Sequence, residues 1–65
     1  MKDKRKIYGN ILCDAYGVPY KIIVVEGENT TEIPVTNSTL KVCKKAARDV
    51  FGVTDLYISL IRGGN

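Results

Sequence analysis

A chain of 65 residues holds one domain, near the lower size at which a single core keeps a fold without disulfides or metals. Its 45% hydrophobic and 26% charged residues are those of a globular protein and exclude an intrinsically disordered one. A net charge of +3 and a pI near 9.0 tilt it toward acidic partners without requiring one. With no histidine and two cysteines thirty positions apart, Cys13 and Cys43, a zinc site has too few ligands, and no cofactor or metal is expected. Both cysteines sit among apolar neighbours, where a reduced, buried thiol normally lies. No apolar run reaches the roughly 18 residues that span a membrane, and the charged opening lacks a signal-peptide core, so the cytoplasm is the expected compartment.

Met1 to Lys6 carries four cations and one carboxylate and reads as a flexible basic tail. Ile7–Cys13 and Pro19–Glu26 read as strands, the second rich in β-branched residues. Between them, Asp14-Ala15-Tyr16-Gly17 suits a type I turn closed by a left-handed glycine. If that turn sets the register throughout, Leu12 faces Tyr20, Asn10 faces Ile22 and Tyr8 faces Val24. One hairpin face then carries Ile7, Ile11, Cys13, Ile23 and Val25, and the other carries Tyr8, Leu12, Tyr20, Ile22 and Val24. Both are apolar, and one helix can cover only one of them.

Glu26 to Glu32 reads as a solvated polar loop; its carboxylates resemble part of a calcium loop but lack the full ligand set and flanking helices. Ile33 to Val35 is expected to form a short strand or bridge, with Pro34 marking an edge. The stretch from Asn37 to Gly52 has a helical period, with Thr36, Asn37 and Ser38 as candidate caps and Gly52 as a stop. At about 100° per residue, Leu40, Cys43, Ala46, Ala47, Val50 and Phe51 share one arc with Val42 at its margin, while Lys41, Lys44, Lys45 and Arg48 line the opposite stripe. The small Ala46 and Ala47 admit a backbone close beneath the helix. Leu56 to Arg62 reads as a last strand, followed by a flexible Gly63-Gly64-Asn65. The expected fold is α+β, order ββ(β)αβ: a small antiparallel or mixed sheet with one amphipathic helix on one face, a single domain over residues 7–62. A right-handed crossover through the helix brings the last strand parallel to a hairpin strand.

Catalysis has little to draw on. No histidine is present, the carboxylates scatter, and Cys43 on the buried arc has no base beside it. Two binding readings remain. In the first, a protein partner or a second copy of the chain meets the spare sheet face through Tyr8, Leu12, Tyr20, Ile22 and Val24, tyrosine being favoured at interfaces for its large ring and polar tip. In the alternative, Lys41, Lys44, Lys45 and Arg48, assisted by Lys2, Lys4, Arg5 and Lys6, contact the phosphates of a nucleic acid. Four such contacts give a log–log salt slope of about −3.6 on duplex DNA. No base-reading residues stand out, so such binding would be unspecific.

The acidic loop leading through Ile33-Pro34-Val35-Thr36 into a helix, and the final strand Leu56 to Ile61 closing on Arg62-Gly63-Gly64, resemble a shortened ubiquitin-like β-grasp domain. Pro19-Tyr20-Lys21-Ile22 and the helix Leu40 to Val53 are similar in pattern to the ubiquitin-fold modifier. The resemblance implies a conjugation tail at Gly63 and Gly64, from which Asn65 would have to be trimmed. The segment between helix and last strand is too short for the intervening strands of ubiquitin itself. In size the chain also resembles accessory proteins of phages and mobile elements that block or recruit a host complex.

Overall fold

The computed structural model describes residues 6–60. Strand β1 (Ile7–Cys13) turns through Asp14–Val18 into β2 (Pro19–Glu26), and β3 (Asn29–Pro34) follows. The helix α1 (Leu40–Asp49) and the strand β4 (Asp55–Leu60) complete the order ββ(β)αβ, an α+β fold. The four strands form one mixed sheet in the order β3-β2-β1-β4, with β1 antiparallel to β2, β2 antiparallel to β3, and β4 parallel to β1. The helix lies over β1 and β2.

The first turn forms as its residues require. The side-chain Oδ1 of Asp14 accepts from the amides of Tyr16 and Val18, both at 2.9 Å. Its carbonyl accepts from Gly17, which holds φ 82°, and its amide donates to the carbonyl of Val18. Cys13 therefore pairs with Pro19, the register the turn alone predicts.

The next pair departs from it. Leu12 pairs with Lys21, leaving Tyr20 as an extra residue in a β-bulge, and every later pair is displaced by one: Ile11 with Ile22, Asn10 with Ile23, Gly9 with Val24, Tyr8 with Val25. The proline at the start of β2 has no amide to give the ladder, and the carbonyl of Tyr20 is taken by the amide of Val35 at 3.0 Å. A one-residue slip exchanges the faces of a strand. Ile22 and Val24 thus join Ile11 and Cys13 in the core, whereas Ile23 and Val25 turn to the other face with Tyr8 and Leu12.

The polar segment after Glu26 is a strand as well as a turn, a correction to the expected solvated loop. Gly27 and Glu28 alone form the connection, Gly27 taking φ 65° while Glu28 keeps a negative φ, the pattern of a two-residue type II′ hairpin turn. Glu26 then pairs with Asn29, and β3 runs along the sheet edge to Pro34. Threonines at 30 and 31 supply β-branched side chains there, so polarity marked an edge strand rather than a loop.

The helix is shorter than its periodic stretch. Thr39, not Thr36, Asn37 or Ser38, is the cap: its Oγ1 accepts from the amide of Val42 at 3.2 Å. Asn37 instead takes a left-handed conformation, φ 54°, in the linking turn. Beyond Asp49, Gly52 at φ 69° reverses the chain so that the amide of Val53 reaches the carbonyl of Ala47 at 3.0 Å. Cys43 and Ala47 are buried and Leu40 and Phe51 pack beside them, but Val50, expected on the buried arc, is 71% exposed. It follows the last helical residue as the C-cap, on the flank turned away from Leu40 and Phe51.

The core consists of Ile11, Cys13, Ile22, Val24, Cys43, Ala47 and Val53, with no buried polar side chain among the described residues. Gly9 makes room for Val53: a Cβ there would lie 2.8 and 2.9 Å from the two γ-carbons of Val53 and 3.3 Å from Cδ1 of Leu56. Thr54 ties the start of β4 to that of β1, its Oγ1 accepting from the Ile7 amide at 3.0 Å and donating to the Ile7 carbonyl at 3.2 Å.

Gly9→Ala is expected to destabilise the fold by about 1–3 kcal/mol in chemical denaturation, because Val53 is itself buried and cannot step aside. Replacing Ala47, fully buried under the helix, with leucine should act in the same direction. Burial pushes the thiols of Cys13 and Cys43 above their ordinary range, Asp14 adding to the effect on Cys13 and Cys13 to that on Cys43. The neutral thiols suit the core, so their contribution is complete below the ordinary thiol range and is lost as pH rises through the raised values. Alkylation should accordingly be slow in the native protein and fast in denaturant, and alkaline titration should lower the denaturation midpoint.

Candidate interaction surface

On the face away from the helix, the observed register sets the side chains in three rows across the four strands. The first row is Thr30, Val25, Tyr8 and Asp55; the second Glu32, Ile23, Asn10 and Tyr57; the third Pro34, Lys21, Leu12 and Ser59. Leu12, Ile23 and Val25 are half-buried by their neighbours and form an aliphatic centre. Beside it Tyr8 and Tyr57 stand 42% and 56% exposed, diagonal to each other on the parallel strands β1 and β4.

Polar groups frame this centre. The hydroxyl of Ser59 donates to Oδ1 of Asn10 at 3.0 Å, bridging β4 and β1 within the face. At the opposite edge Nζ of Lys21 meets Oε1 of Glu32 at 3.2 Å, both side chains well exposed. Such a pair contributes at most about 1 kcal/mol. It does remove the face's one cation as a free charge, and Asp55 and Glu32 leave the surface without a positive field. The face thus combines a half-buried aliphatic centre, two exposed tyrosines and a polar frame.

The expected set Tyr8, Leu12, Tyr20, Ile22 and Val24 is therefore divided. Tyr8 and Leu12 are on the open face, Ile22 and Val24 are buried beneath the helix, and Tyr20 is the half-buried bulge residue. Ile23, Val25 and Tyr57 belong to the open face and were missed. For Ile23 and Val25 the sequence carries only the proline opening β2, which takes one donor out of the ladder beside the turn and leaves the register beyond it unset. Tyr57 was legible as an alternate residue of the last strand, but only the β1–β4 pairing places it beside Asn10.

The second expected surface keeps its shape. Lys41, Lys45 and Arg48 are exposed and Lys44 is half-buried, all on the side of α1 away from Cys43 and Ala47. Lys45 is paired with Asp49 one turn on, at 3.0 Å, while Lys41, Lys44 and Arg48 have no carboxylate partner among the described residues. Lys6 is exposed; Lys2, Lys4 and Arg5 lie outside the described residues, as do Gly63 and Gly64. A shallow groove of about 270 Å³ runs along the helix flank, lined by Val42, Lys45, Ala46, Asp49 and Val50. Among the described residues no three or more His, Cys, Asp or Glu side chains converge on a point that could hold a metal, and no helix is long and apolar enough to cross a membrane.

No family model, curated protein or solved structure matches the chain.

The exchange of faces in β2 has a direct stability signature. Ile22→Ala is expected to cost about 2–5 kcal/mol as a core truncation. Ile23→Ala, one residue along, should cost well under half as much in the same denaturation series, the reverse of the order that the uninterrupted register predicts.

Proposed function

We propose that the protein is a small non-enzymatic binding module whose open sheet face meets a protein surface. One observation supports this above others: an aliphatic centre of Leu12, Ile23 and Val25 beside two exposed tyrosines, on a face that no element among the described residues covers. Tyr8 and Tyr57 offer large area at low entropic cost, with a hydroxyl at the tip that can bond to water or to a partner group. The Asn10–Ser59 bond and the Lys21–Glu32 pair pre-arrange polar groups, so little order is lost on docking. Of the sequence-derived set, Tyr8 and Leu12 keep this role.

A photo-reactive phenylalanine analogue in place of Tyr57, in cells making the full chain, is expected to crosslink to protein. The adduct should vanish with Tyr8→Ser plus Val25→Ser and persist when Lys41, Lys44, Lys45 and Arg48 are all changed to Gln. Loss with the Gln variant and retention with the serine variant would reject the open-face reading.

A second reading, nucleic-acid binding by the helix stripe, is favoured by the three cations without a carboxylate partner on an exposed side. With Lys45 engaged by Asp49, Lys41, Lys44 and Arg48 would supply a log–log salt slope of about −2.7 on duplex DNA. Unchanged retention of the four-Gln variant on DNA at low salt would remove it.

A further inference from the structure

Among the described residues the sheet has two unpaired edges, β3 and β4, that differ in chemistry. On the β3 edge, Pro34 lacks an amide, and Asn29, Thr30, Thr31 and Glu32 are polar and exposed, the features that deter pairing with another chain. The β4 edge carries no proline, no cation and no bulge, and pairs with β1 in unbroken register from Asp55 to Leu60. The helix covers β1 and β2 and stops short of β4. On the helix side of β4, Ile58 and Leu60 are therefore left 42% and 63% exposed, while Leu56 packs against the core.

We propose that β4 pairs antiparallel with β4 of a second copy about a two-fold axis at Ile58, extending the two sheets into one. Residues opposite each other in an antiparallel pair share a face. Centring on Ile58 sets Ile58 against its own copy, Leu56 against the second copy's Leu60, and Tyr57 against the second copy's Ser59. Each exposed Leu60 then meets a leucine that already borders a core. Charge decides the direction. Asp55 is the one ionised side chain of β4, so a parallel pairing would stack it on its copy, whereas the antiparallel pairing parts the two carboxylates by about 20 Å. A second copy is thus a self-complementary occupant of an isologous interface. This inference does not rest on the open-face reading. The two share Tyr57, which borders the seam, so a Tyr57 adduct between two copies of the chain that survives Tyr8→Ser plus Val25→Ser marks the β4 pairing rather than the open face.

Sedimentation of the full chain across a micromolar-to-millimolar series should rise to twice the 7.2 kDa monomer mass. Ile58→Lys, and separately Leu60→Lys, should weaken the dimer at least about 100-fold, because each charge enters a symmetric interface twice. Tyr8→Ser plus Ile23→Ser on the open face should leave the dimer intact. Circular dichroism confirms folding of each variant. As a measurement needing no variant, hydrogen exchange at the β4 amides of the native chain should slow as concentration rises. A monomer at every concentration overturns the proposal, as does β4 exchange that ignores concentration. A dimer lost only with the open-face variant also overturns it, and seats the second copy on that face instead.

Discussion

Between Leu12 and Cys13 the β1–β2 ladder takes in one extra residue, Tyr20, and the assignment of every later side chain of β2 to a face depends on it. Without the bulge, Ile23 and Val25 would sit under the helix, and Ile22 and Val24 would look out. With it, Ile11 and Ile22 lie side by side beneath Cys43 and Ala47, and Gly9 lies beside Val24 where Val53 descends onto the sheet. The bulge is held from both sides. Pro19 withholds an amide from the normal ladder, and the Tyr20 carbonyl is engaged by Val35, the residue that follows the edge strand.

The surplus of apolar surface in so short a chain then acquires a definite geography. A helix of ten residues covers two strands of a four-stranded sheet. It shields the β1–β2 centre and leaves three apolar regions in solvent: the open face, the helix side of β4, and the helix flank around Val42 and Val50. The open face differs from the other two in its polar frame, the Asn10–Ser59 bond and the Lys21–Glu32 pair.

Charge is distributed differently from apolar area. Four of the six cations among the described residues, Lys41, Lys44, Lys45 and Arg48, are on α1, whereas the open face has Lys21 paired and carries Asp55 and Glu32. Protein docking on the sheet and phosphate contact on the helix would therefore use opposite sides of the molecule. The edges follow the same division: β3 is polar and interrupted by Pro34, β4 apolar and continuous.

Local residue chemistry alone determined β1, β2, the turn between them and the buried side of the helix. Ile7–Cys13 and Pro19–Glu26 are strands with the bounds their β-branched runs indicate, the Asp14–Gly17 turn has the glycine conformation its sequence demands, and the helix buries Cys43 and Ala47 as its period requires. These features are set by neighbours in the chain, so they can be read from it. Tertiary structure decided what depends on distant partners. The segment after Glu26 becomes a strand because β2 offers an open ladder, Tyr20 is taken up as a bulge where Leu12 pairs with Lys21, and Val50 stays exposed as the C-cap beyond the last helical residue. Which apolar face of β2 stays open follows from that register, and a strand's side-chain period of two makes a single residue enough to reverse it.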